Sequence, residues 1–137
     1  MFARVTLDIS AQFIIQTVKD NIKLEGFKVG RFWHDDNDFI IHIEMPKVGD
    51  VKVKFRVVSH RNTFLGFDIR RVVVSKALPI SGKAITIVMK LFKSIIERTM
   101  PFANIKVKNN IIYLENIKTD RIQLHNGNIT GELFLSK

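Results

Sequence analysis

The sequence predicts an α+β fold, a strongly curved antiparallel sheet of meander-type strands wrapped around a long amphipathic helix, with a second, shorter helix near the N-terminus. Three observations predict it. Short runs in which apolar and polar residues alternate are separated by turn residues, which is the period of half-buried strands. Two other stretches carry their apolar residues at helical spacing. The connections between successive strands are too short for parallel crossovers, so neighbours pair antiparallel. With 137 residues, 46% of them hydrophobic, the chain suits a single compact domain over 1–137.

Taken in order, FARVTLDI alternates with Ala3, Val5, Leu7 and Ile9 on one side, a short strand. Asp8 or Ser10 caps a helix from about Ser10 to Lys23, closing near Gly26. Ala11, Ile14, Ile15, Val18 and Ile22 share one face of it, and Gln12, Gln16, Lys19, Asp20 and Lys23 lie on the other. Phe27 to His34 reads as a strand whose alternation is broken by Gly30 and by adjacent Phe32 and Trp33. Asp35-Asp36-Asn37-Asp38 turns the chain. Phe39 to Met45 then places Phe39, Ile41, Ile43 and Met45 on one face. After a turn over Pro46–Asp50, Val51 to Val58 points Val51, Val53, Phe55 and Val57 inward and Lys52, Lys54 and Arg56 outward. A turn over Ser59–Asn62 leads to a long strand, Thr63 to Val74, with Leu65, Phe67, Ile69 and Val73 alternating.

A second helix is predicted from about Ile80 to Met100, with Ser81 as cap and Pro101 as stop. Its polar residues, Lys83, Thr86, Lys90, Lys93, Ser94, Glu97 and Arg98, fill less than half of the wheel. An apolar stripe of about 100° is enough to face one flat sheet, so this helix wants walls on several sides, an apolar ligand or a bilayer surface. Strands follow at Asn104–Lys108, Ile111–Asn116, Arg121–His125 and Asn128–Leu135, with Asn126-Gly127 a strong hairpin signal.

Charge is unevenly placed. The formal net charge is +9, but Lys47 to Lys108 hold 14 basic residues against Asp50, Asp68 and Glu97, a local +11. The rest sums to −2. Such a field attracts phosphate on nucleic acid or on anionic lipid. The chain has no cysteine, which removes disulfides, thiolate metal sites and cysteine nucleophiles. No apolar run reaches the roughly 20 residues of a membrane span, and MFARVTLDIS lacks the pattern of a signal peptide, so the chain reads as cytoplasmic or peripheral to a membrane.

No reaction is written in the motifs. His34, Asp35, Asp36 and Asp38 are dense in possible ligands, but lack the glycine and the distant glutamate of a calcium loop. His34, His42, His60 and His125 show no zinc spacing, and neither a GxSxG elbow nor a phosphate loop occurs. The expectation is a non-enzymatic chain with no catalytic residue, cofactor or metal. Lys52, Lys54 and Arg56 form a basic strand face that Arg70 joins if the register allows, and Lys90 and Lys93 lie on the helix rim. A face that binds single strands also needs exposed aromatic rings for stacking. Phe55, Leu65 and Phe67 alternate away from the basic set, leaving Trp33, Tyr113 and Phe64 as a thin supply.

Two longer stretches, VTLDISAQFIIQTVKDNI and PISGKAITIVMKLFKSIIERTMPFANIKVKNNIIYLENI followed by RIQLHNGNITGELFL, resemble the tubular lipid-binding (TULIP-like) domains. The resemblance is one of element pattern and covers most of the chain. It implies a curved sheet around the second helix, and an apolar groove for lipid or another apolar ligand. On this chain that groove would be lined by Ile85, Val88, Met89, Phe92, Ile96 and Met100. The preferred expectation is a lipid-binding or membrane-surface module with a basic outer face. The alternative is a basic nucleic-acid-binding or interaction scaffold acting through phosphate contacts. Apolar edge strands also allow a homodimer.

Overall fold

The computed structural model describes the backbone of residues 2–46, 49–60, 64–74 and 81–136, and the side chains of 4–46, 49–59, 65–74 and 84–134. Its order is β1 (Phe2–Ile9), α1 (Ala11–Leu24), β2 (Lys28–Asp35), β3 (Asp38–Met45), β4 (Gly49–His60), β5 (Phe64–Val74), α2 (Ser81–Thr99), β6 (Ile105–Lys108), β7 (Ile111–Leu114), β8 (Ile117–His125) and β9 (Asn128–Ser136). The fold is α+β, with two helices and antiparallel pairing throughout the described strands. A six-stranded sheet runs β2-β3-β4-β5-β7-β6, and a three-stranded sheet runs β1-β9-β8.

Local chemistry explains the first elements. Ser10 caps α1, its hydroxyl accepting the Phe13 N–H at 3.1 Å, and the Asn128 side chain accepts the Ala11 N–H at 2.9 Å. Ala11, Ile14, Ile15, Val18 and Ile22 are buried, as the wheel predicts. Asn21 is buried beside them, which the wheel does not predict. Its amide donates to the Thr17 carbonyl at 2.8 Å, and its oxygen accepts from Arg98 at 3.3 Å. At the C-terminus Gly26 takes a φ of +89°, which an L side chain resists.

The core lies on the inner face of the large sheet. Phe39, Ile41, Ile43 and Met45 of β3 and Val51, Val53, Phe55 and Val57 of β4 are all buried there. Phe55 is the hub, fully buried, with ring centroids 5.2 Å from Phe39, 6.2 Å from Phe32 and 4.9 Å from Phe92 of α2. Two side-chain contacts lock the second sheet onto this layer. The Asn37 oxygen accepts the Gly127 N–H at 3.0 Å, and the Ser59 and Thr119 hydroxyls meet at 2.9 Å. The Asn126-Gly127 turn takes φ of 49° and 80°, the conformation its hairpin signal predicts.

Two strand predictions need correction. Val73 does not alternate inward. A bulge in β5 sets Lys54 opposite Arg71 and Phe55 opposite Ile69, leaving Arg70 as the extra residue. Beyond it the parity reverses, so that Val72 and Val74 pack on the core and Val73 is 40% exposed. β8 also begins four residues earlier than predicted, at Ile117, because Glu115 and Asn116 suffice for the turn from β7. The predicted turn over Ser59–Asn62 falls partly outside the described residues, as do parts of the Pro46–Asp50 turn and Ile80 at the start of the second helix.

Candidate functional site

The second helix answers its wide apolar arc with two walls. Ala84, Val88, Leu91, Phe92, Ile95 and Ile96 are buried, and the contact of Phe92 with Phe55 marks the sheet side. Ser94 and Arg98 turn toward α1, where the Glu25 carboxylate accepts from the Ser94 hydroxyl at 2.8 Å and from Arg98 at 2.6 Å. Those two hydrogen bonds hold the Glu25 carboxyl below the usual glutamate range, Ser94 contributing most. Of the residues predicted to line a groove, Val88, Phe92 and Ile96 are buried in this packing. Ile85, Met89 and Met100 are half-buried.

The predicted basic residues divide between two sides of the molecule. Lys90 and Lys93 lie exposed on α2, and Lys93 meets Glu97 at 3.8 Å. Lys52, Lys54 and Arg56 lie on the outer face of the six-stranded sheet, with the sheet between them and the helix. Arg70 joins their side at the bulge and meets Asp68 at 4.0 Å. Asp38 holds two of the others, Arg56 Nε at 2.7 Å and Lys54 Nζ at 3.4 Å. The Arg56 hydrogen bond is the main reason the Asp38 carboxyl sits below the usual aspartate range, and it raises Arg56 in turn.

The outer face carries residues that the sequence reading did not place there. Trp33 is opposite Ile40 and Ile40 opposite Lys54, so the indole stands on the same face as the basic row. Arg31 lies 4.2 Å over its ring, Lys52 5.9 Å from it, and His42 5.5 Å away in a tilted contact. Arg71, next to the bulged Arg70, stands directly opposite Lys54. On the far side of the face Tyr113 is opposite Gly66, and a Cβ on Gly66 would meet the Tyr113 ring at 3.4 Å and the Ile112 carbonyl at 3.0 Å. Lys106 and Lys108 of β6 complete the row beside Tyr113 and Ile111.

Arg31, Lys52, Arg71, Lys106 and Lys108 are exposed, and none lies within ion-pair distance of a carboxylate among the described residues. Phe64, the third aromatic of that thin supply, has its side chain outside the described set. Two open hollows of about 280 Å³ and about 400 Å³ share Lys28, Glu44 and Asp50 in their walls, and Arg31 and His42 of the Trp33 cluster line the smaller. Among the described residues no group of three or more His, Asp or Glu side chains could hold a metal ion. No helix among them is long and apolar enough to cross a membrane. No family model, curated protein or solved structure matches the chain. The face therefore has to be read from its own chemistry.

Proposed function

We propose that this chain is a non-enzymatic binding module whose outer sheet face takes single-stranded nucleic acid, phosphates on its cations and bases on its rings. The observation that carries this reading is Trp33, set on the basic face with Arg31, Lys52 and His42 around it. Cations alone attract any polyanion, whereas a sheet that also offers aromatic rings along a basic row suits a strand with unpaired bases. Tyr113 lies four strands away, roughly 19 Å at the usual strand spacing, with Lys52 and Arg71 on strands between the two rings. The thin aromatic supply noted in the sequence is thus concentrated where stacking would use it.

Trp33 is the only tryptophan, so its fluorescence reports on this face alone. Titration of the full chain with a thymidine oligomer of about twelve nucleotides, within the site sizes of sheet-face binders, should quench and shift the emission. A thymidine oligomer that leaves the emission unchanged, while vesicles rich in phosphatidylserine alter it, would overturn the reading in favour of a membrane surface.

A second reading, capture of an apolar ligand by a sheet curved around α2, is favoured by half-buried Ile85, Met89 and Met100 on one flank of that helix. Uptake of a fluorescent fatty acid that is lost in Met89→Lys and insensitive to salt would select it over the first.

A further inference from the structure

The open hollows at one end of the outer face have an unusual lining for so basic a surface. Glu44 of β3 is the direct cross-strand partner of Asp50 of β4, and Lys28 of β2 is the partner of Glu44. Like charges directly opposite one another on a sheet are unfavourable, because their Cβ atoms stand only about 5 Å apart. No described cation lies within ion-pair distance of either carboxylate. Both carboxylates line both hollows, and Arg31 and His42 reach the smaller one from the Trp33 cluster. A concave place near Trp33 therefore offers two groups that only accept hydrogen bonds and that no described cation holds, whereas Asp38 and Asp68 on the same face are held by Lys54, Arg56 and Arg70.

We infer that this hollow reads a nucleobase bearing an amino group, guanine foremost, within a strand lying on the outer face; the inference rests on the nucleic-acid reading above. A carboxylate presents two acceptor oxygens side by side. The N1–H and N2–H₂ groups of guanine are adjacent donors and match them in pairs, as the two N–H groups of an Arg fork do. Adenine and cytosine offer one amino group each. Uracil and thymine turn carbonyl oxygens toward the carboxylates and are repelled. Arg31 on the rim supplies a cation for an adjoining phosphate, and the neighbouring base stacks at Trp33. The hollow of about 280 Å³ has the size for one base with part of its sugar, at the small end of ligand pockets.

The test uses the full chain and uridine oligomers carrying no guanine, one guanine, or one hypoxanthine, which lacks the 2-amino group. One guanine should tighten binding about tenfold over the all-uridine oligomer, the scale of a bidentate base contact, and hypoxanthine should forfeit most of that gain. In Glu44→Gln with Asp50→Asn the guanine and uridine oligomers should bind alike, with all-uridine affinity equal to or better than that of the parent. A urea melt of the double variant checks that it folds. Equal binding of all three oligomers by the parent chain overturns the inference, as does a guanine preference that survives the double substitution. If no oligomer binds at all, the reading of the whole face fails, and that outcome is distinct from binding without base preference.

Discussion

Replacing Arg71 by Ala should lower the salt dependence of oligonucleotide binding by a step set by counterion release. Each phosphate neutralised on a single strand contributes about 0.7 to the slope of log affinity against log salt. Arg31, Lys52, Arg71, Lys106 and Lys108 are the exposed outer-face cations that no described carboxylate holds, once Lys28 is left aside because it lies opposite Glu44. Lys54 and Arg56 are engaged by Asp38, and Arg70 by Asp68. Six strands at about 4.8 Å spacing put roughly 24 Å between the ends of this row, enough for a strand of several nucleotides to touch every cation. Five contacts give a slope near −3.5, so raising salt from about 50 to about 200 mM should weaken binding roughly a hundredfold. Arg71→Ala should bring the slope to about −2.8 and weaken binding to all sequences alike. Lys93→Ala, on the helix side of the molecule, should change neither. Fluorescence anisotropy of a labelled oligomer at four or five salt concentrations measures both quantities. A slope near zero, or an equal loss in Arg71→Ala and Lys93→Ala, would refute the reasoning, since it would mean that the outer face does not hold the strand.

The fold makes further predictions. Phe55→Ala removes the ring shared by Phe32, Phe39 and Phe92 and should cost about 3–5 kcal/mol in urea unfolding, against well under 1 kcal/mol for Phe13→Ala at 61% exposure. Gly127→Ala forces a side chain into a φ of +80° and brings its Cβ to 2.8 Å from the Ala11 Cβ, so a loss of about 2 kcal/mol is expected by thermal melting. Glu25 binds its proton less readily when folded than unfolded, so its contribution is present above the ordinary glutamate range and is lost as pH falls through the folded value. The stability gap between the parent chain and Glu25→Gln should therefore close on acidification below about pH 4, and a gap that widens there would contradict the clasp with Ser94 and Arg98.

Much of the fold is legible in the sequence because burial on one face of an element leaves a period. The five apolar positions of α1 and the alternating sets of β3 and β4 are buried as their spacing requires. Asn21 is not legible, since nothing local announces that Arg98, 77 residues on, will reach its side chain. The arc of α2 is legible as excess apolar surface, but its cause is not. A wide arc is equally consistent with a second protein wall, a ligand or a bilayer, and only the contacts with Glu25 and Phe55 show that α1 and the sheet flank this helix.

The make-up of the outer face was hidden for a more specific reason, which also ties the fold to the proposed function. Strict alternation from Val29, which faces the core beside Ile43, would carry Trp33 inward and Phe32 outward. The bulge at Gly30 and Arg31 reverses this, sending Phe32 to the Phe55 cluster and Trp33 to the outer face. Strict alternation from Ile69 would likewise bury Arg71, and the extra residue Arg70 turns it outward opposite Lys54. Two insertions in different strands thus deliver an indole ring and a cation to the same surface, each by a reversal that a period-two reading passes over. A bulge does more than blunt an edge when both of its consequences serve one face. Here one places the ring and the other the charge, and removing either would bury a polar group while exposing an apolar one.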